Sequence, residues 1–273
     1  MTLRDDGDST QDPRAFWDAK AVKSGGDASR AACQDDLQSN RLIARVQYRE
    51  LAIALHWLRG RVSERAAMLD FGCGPGRWVD FFTEHGLTYR GADISPQMLA
   101  MARARHPGVE FDLLEGDRLP YSDDAFDLVC SIAVIHHNPY TRQESILSEI
   151  ARVLRPGGYA LLFEGLGEAT RTGGITHPRP LESWVEAMRK RGLRLERHEG
   201  TRYGVLRVVM LRTLHAVPVE AARHAAWQPA SEKPWWQRAV DGLDGTVSPA
   251  LAPLLPPHTH RRGLLLFRKA PLG

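Results

Sequence analysis

Between residues 66 and 165, short apolar runs alternate with longer stretches in which apolar residues recur at helical spacing. The runs at 67–71, 88–92, 109–114, 126–133 and 159–163 are each bounded by Gly, Pro or Asp and are apolar at most successive positions. That pattern predicts strands buried on both faces. The stretches 78–85, 95–105 and 142–154 predict the helices between them, the second opening with Ser95 as N-cap and Pro96 in the first turn. Strand and helix in strict alternation predict a doubly wound α/β sheet, parallel, with helices on both faces and right-handed crossovers.

The flanks are less regular. Asp12 and Pro13 suit the start of a short helix that Gly25-Gly26 breaks. A longer helix over 36–58 carries Leu42, Val46, Leu51, Leu55 and Leu58 toward a core and Arg41, Arg45 and Arg49 on another face, solvated or guiding an anionic substrate. Downstream, 181–191 predicts a helix and 193–198 and 263–268 predict strands. The roughly sixty residues between those strands exceed an ordinary loop. They read as an insertion over 200–262 that covers a site, with helices expected at 203–214 and 219–227. Residues 1–65 are then an N-terminal helical cap and 66–273 the main domain.

Composition narrows the function. No run approaches the roughly 18 apolar residues of a membrane span. The polar, acidic start MTLRDDGDSTQDP has no secretory apolar region, so a cytoplasmic protein is expected. Cys33, Cys73 and Cys130 lie far apart without CxxC spacing, which points away from a disulfide framework and from a zinc site, so no metal is expected. Residues 66–170 hold 8 basic against 15 acidic side chains, and residues 171–273 hold 17 against 8. The acidic section suits a cationic ligand and the basic tail suits an anionic small molecule. Nucleic acid is not an expected partner, because the basic residues are dispersed and no aromatic RNA-binding motif is present.

The densest chemistry follows the first strand, in MLDFGCGPGRW (68–78). A ligand of a doubly wound sheet binds beyond the carboxyl ends of the strands, and glycine there admits positive φ and close backbone approach. The spacing G-C-G-P-G departs from the dinucleotide GxGxxG. Asp93 ends the second strand, where a carboxylate can accept two ribose hydroxyls. Asp117 follows the third strand, in reach of an exocyclic amine. Asp127 opens the fourth and reads as a structural boundary residue.

With these residues in this order, the chain resembles the class I S-adenosylmethionine (SAM) dependent methyltransferases. LDFGCGPG is similar to their first motif, GADIS to the second, EGDRLPYSDDAFDLV to the third and fourth, and EIARVLRPGGYALLFE to the fifth and sixth. The resemblance covers residues 66–165 closely. It implies a Rossmann-like seven-stranded sheet of order 3-2-1-4-5-7-6 with the last strand antiparallel. It also implies SAM as cofactor, with S-adenosylhomocysteine as product. Asp70, Gly72, Cys73, Gly74 and Gly76 would surround its methionine part, Asp93 the ribose, Ile94 and Met98 the adenine, Asp117 and Arg118 its amino group, with Ser131 nearby. Trp17, in the pair Phe16-Trp17, resembles an aromatic laid over the cofactor and equally suits a hydrophobic anchor for its helix.

Methyl transfer is an in-line displacement, so the protein's tasks are positioning, exclusion of water and handling of the acceptor's proton. His136 and His137 follow the fourth strand, where the resemblance implies that one, here His137, acts as base, with Glu164 after the fifth strand orienting it. The same histidines also suit simple packing. His177 is a further loop candidate, and Gln47, Tyr48, Arg49, Tyr203, Arg207, Trp235 and Trp236 are candidate substrate walls. The expected activity is methylation of a small molecule at oxygen. The alternatives are nitrogen, carbon or nucleic-acid acceptors, a non-catalytic SAM-binding scaffold, and a nicotinamide dehydrogenase. Degenerate glycines or loss of Asp93 would favour a scaffold, and both are retained.

Overall fold

The computed structural model describes residues 12–28, 30–31, 37–116, 118–167, 176–200 and 262–271. Asp117, Cys33, the two helices expected within the insertion, and Tyr203, Arg207, Trp235 and Trp236 lie outside the described residues.

Seven strands form one sheet in the order β3-β2-β1-β4-β5-β7-β6. They are β1 (Ala67–Phe71), β2 (Thr88–Asp93), β3 (Glu110–Leu113), β4 (Phe126–Ile132), β5 (Leu154–Gly165), β6 (Leu193–Gly200) and β7 (Arg262–Lys269). The first five pair in parallel, and β7 runs antiparallel between β5 and β6. Among the described residues six helices accompany them: α1 (Pro13–Lys23), α2 (Leu37–Leu58), α3 (Val79–Glu84), α4 (Pro96–Arg105), α5 (Tyr140–Val153) and α6 (Leu181–Arg189).

The period of two along a strand divides the core into two layers. Met68, Leu128, Leu161 and Leu266 face one way and meet Leu51, Leu55 and Leu58 of α2 and Phe82 of α3. Leu69, Val129, Leu162 and Leu265 face the other way and meet Leu147 and Ile150 of α5 and Trp184 and Met188 of α6. The carboxyl-terminal half of α2 is therefore part of the helical layer against the sheet. Two elements differ from the expected bounds. β5 starts earlier than residue 159, because Leu154 pairs with Phe126 across a register irregularity. A single 3-10 turn, Ile135–His137, stands where the sequence shows no helical signal.

Asp127 ties strand starts together, its carboxylate accepting from the Ala67 amide at 2.8 Å and from Arg155 at 2.8 Å. It thus lies at the opposite end of β4 from the turn carrying the histidines.

Candidate active site

A cavity opens at the carboxyl ends of β1, β2 and β4, where the strand order reverses. The chain after β1 lines it through Gly72, Cys73 and Gly74. Gly72 has φ +75°, and a β-carbon on it would meet Val134 Cγ2 at 2.3 Å, so only glycine lets this turn lie against the β4 loop. Gly74 has φ +53° and nothing within 4 Å of such a carbon. The first glycine is required by packing, and the second leaves room for a ligand. Gly76 is placed apart from the cavity lining, against His106, whose Nε2 lies 2.9 Å from its carbonyl.

Asp93 terminates β2 beneath this turn. Its Oδ2 accepts from the Gly74 amide and its Oδ1 from the Ser95 amide, both at 2.8 Å. Burial raises its pKa, and the Ser95, Gly74 and Ile94 amides oppose that rise. Asp70, at 1% exposure, accepts from the Tyr89 hydroxyl at 2.7 Å. Burial above all, with a smaller push from Asp93, moves Asp70 up to about 7 against the pull of the Tyr89 bond and Arg77. A buried carboxylate this poorly compensated fits a ligand that brings positive charge.

Trp17 closes one wall. Its helix is held by Asp18, which accepts from Ser95 Oγ at 2.5 Å, and by Arg14, which donates to the Leu114 carbonyl at 3.0 Å. Trp17 packs on the cluster of Ala21, Ala31 and Met98, and its ring stands edge-on to His137 with centroids 5.6 Å apart. One side chain thus both packs its helix against α4 and lines the cavity. Ile94, Met98 and Arg118 also line the cavity.

The β4–α5 loop separates the expected catalytic group. His137 lines the cavity, whereas His136 is 3% exposed and turned to Glu164, with Nδ1 2.5 Å from Oε2. Glu164 therefore does not orient His137 directly, correcting the expected pairing. Its fully buried carboxylate also accepts from Ser131 Oγ at 2.9 Å and from the amides of Val134, Ile135 and His136 at 3.1 to 3.2 Å. Burial pushes the Glu164 carboxyl up, but the His136 contact and these amides outweigh it and hold it below the usual range. Ser131 is corrected in the same way: it is buried against Glu164 and absent from the cavity lining, because the period of β4 turns it into the protein. Ala133, between them, takes φ +59°, a conformation that strains a non-glycine residue and starts the turn toward the cavity.

Several lining residues were not singled out from sequence: Arg77, Asn138, Arg142, Ser145 and Glu149. The last three, with Ile146, recur at steps of three, one and three along α5, so helical spacing from His137 onward held that signal. His177 lies beside Tyr140, rings 5.8 Å apart, and its amide donates to the His136 carbonyl, so it braces the turn from outside the cavity. Tyr48 is half exposed against Phe81 and also outside the lining, whereas Gln47 is buried and lines it. Among the described residues no cluster of three or more His, Cys, Asp or Glu side chains is arranged to hold a metal, and no helix is long and apolar enough to cross a membrane.

Residues 69–162 match the family model described as a methyltransferase domain. The phthiotriol/phenolphthiotriol dimycocerosates methyltransferase of Mycobacterium tuberculosis is 34% identical over 96 residues, covering 34% of this chain and 35% of that protein. The fatty-acid O-methyltransferase of Mycolicibacterium smegmatis is 36% identical over 102 residues, covering 36% of each. The chain thus spans only about a third of the length of these relatives. Among solved structures, the complex of the Haloferax volcanii Trm112 methyltransferase activator with a candidate methyltransferase matches at a TM-score of 0.58 and 19% identity, over 96% of this chain and 99% of that one. That similarity is one of fold. Residues 69–162 thus carry a segment similar to a methyltransferase domain, set in a seven-stranded sheet of the order 3-2-1-4-5-7-6.

Proposed function

We propose that this chain transfers a methyl group from SAM to an oxygen of an apolar small molecule. The observation that carries the proposal is the joining of three features on one cavity: the open glycine turn at Gly74, the buried carboxylates of Asp70 and Asp93, and His137 under the edge of Trp17. In this reading Asp93 accepts the ribose hydroxyls, Asp70 meets the cationic amino-acid end, and Ile94 and Met98 supply apolar surface for the adenine; their shared place on the cavity lining supports it. Bound there, SAM supplies a methyl group already activated by positive sulfur. The residues of the chain hold the acceptor in line, and Trp17 and Val134 keep water from the reacting atoms. His137 takes the proton of an acceptor hydroxyl. The turn that carries it is held by Glu164 through backbone amides.

The cavity that His137 lines also includes Trp78, Ile132 and Val134, which favours an apolar acceptor. The two mycobacterial relatives, named for dimycocerosate and fatty-acid acceptors, support the same class. The test is transfer of isotopically labelled methyl from SAM to a panel of fatty acids, aliphatic alcohols and phenols. Label appearing as an ether or ester supports the reading. Label found only on nitrogen or carbon acceptors, or on none, contradicts it.

A further inference from the structure

Gln47 of α2 and Arg77 of the glycine turn meet at the cavity wall, Arg77 Nη2 donating to Gln47 Oε1 at 3.0 Å. Arginine carries only donors, so the amide oxygen of Gln47 must face it and the amide nitrogen is left over. That nitrogen has no partner among the described residues although Gln47 is 1% exposed. An unmade hydrogen bond on a buried donor costs about 1–3 kcal/mol, which is a reason to expect a ligand there. Arg77 is similarly underused. Its guanidinium makes this one hydrogen bond and a 5.2 Å contact with the Trp78 ring, and it forms no ion pair with a carboxylate among the described residues. Asp70 is near enough to be felt, but that group is bonded to Tyr89.

Gln47 lies on α2, outside the matched segment 69–162, and lines the cavity. Trp78, Ile132 and Val134 also line this cavity and give it apolar surface.

We infer that Gln47 and Arg77 form an anchor for a carboxylate, so that the methyl acceptor is an apolar molecule bearing a carboxylate group. The inference rests on the methyltransferase reading and names its substrate class. The guanidinium fork supplies the charge, and the spare amide donor of Gln47 supplies the second hydrogen bond. Charge-assisted bonds of this kind are stronger than neutral ones, so an uncharged head group on the same chain binds less well.

The experiment is calorimetric titration of the full chain, loaded with S-adenosylhomocysteine, with sodium decanoate and with 1-decanol. Decanoate is expected to bind at least about tenfold more tightly than decanol, and Gln47→Leu and Arg77→Lys are each expected to weaken decanoate about tenfold or more. Urea unfolding of both variants separates a lost anchor from a lost fold, and Gln47→Leu, an apolar replacement on a helix, keeps the test available should the turn not tolerate Arg77→Lys. Decanoate that fails to bind, binds no better than decanol, or binds both folded variants as it binds the wild type overturns the anchor. So does an Arg77→Lys variant that loses S-adenosylhomocysteine but keeps decanoate, since the guanidinium would then serve the carboxylate of the cofactor. Wild-type protein that binds no S-adenosylhomocysteine overturns the methyltransferase reading and the anchor with it.

Discussion

Glu164 at the end of β5 and His136 in the turn after β4 are joined side chain to side chain at 2.5 Å, both buried. The neighbouring His137 is left facing the cavity. The carboxylate gathers five donors in all, three of them backbone amides of the turn. It is the pin on which the geometry of His137 depends.

Replacing Glu164 by Ala strands those donors in the interior. The expected loss of stability is about 3–5 kcal/mol, the usual range for breaking a buried charge pair, read as a shift in the urea midpoint. Because the folded carboxyl is held below the ordinary glutamate range, its stabilisation is complete above that range. It fades as the pH falls through the folded value. The stability gap between wild type and Glu164→Gln should therefore narrow below about pH 4.5 and be constant near neutrality.

Asp70 has the opposite sign. Burial raises it from 3.8 to about 7, so between those values the folded chain binds more protons than the unfolded one, and this group costs stability as the pH rises. Asp70→Asn should stabilise the free protein at pH 8 by up to about 4 kcal/mol and do little at pH 3.5. If the ionised carboxylate meets the cationic cofactor, SAM affinity of the wild type should rise about tenfold from pH 6 to pH 8, and this rise should vanish in Asp70→Asn.

The two glycines that begin the turn separate packing from binding. Gly72→Ala drives a methyl group into Val134 and should cost about 1–3 kcal/mol of stability. Gly74→Ala meets open space and should cost roughly 1 kcal/mol for its positive φ, yet weaken SAM binding at least tenfold by occupying the approach. Melting curves and calorimetry on both variants check the contrast.

His137→Ala should leave SAM affinity within about twofold and lower turnover on a hydroxyl acceptor by roughly 10²–10⁴, the range of general-base contributions. His136→Ala should instead reduce stability, since His136 belongs to the buried network around Glu164.

The sheet was readable from the sequence because it rests on local signals. Apolar runs such as 67–71 and 126–133, and breakers such as Gly86 and Pro107, mark nearly every strand and helix. The order 3-2-1-4-5-7-6 came from the resemblance of the motifs. The 3-10 turn at Ile135–His137 has no local signal, because its shape is imposed by Glu164 some thirty residues downstream. For the same reason, adjacency of two histidines could not tell which one a distant carboxylate would claim. Gln47 could be named as a wall from its place on α2, but its partner could not, since the pairing with Arg77 spans thirty residues and depends on how α2 docks on the sheet.

The most direct test of the whole account is calorimetry with SAM, S-adenosylhomocysteine and NAD on the wild type and Asp93→Ala. The account predicts micromolar binding of SAM and S-adenosylhomocysteine by the wild type, loss of both in a folded Asp93→Ala variant, and no binding of NAD. Binding of NAD without SAM, or undiminished SAM affinity in Asp93→Ala, would contradict it.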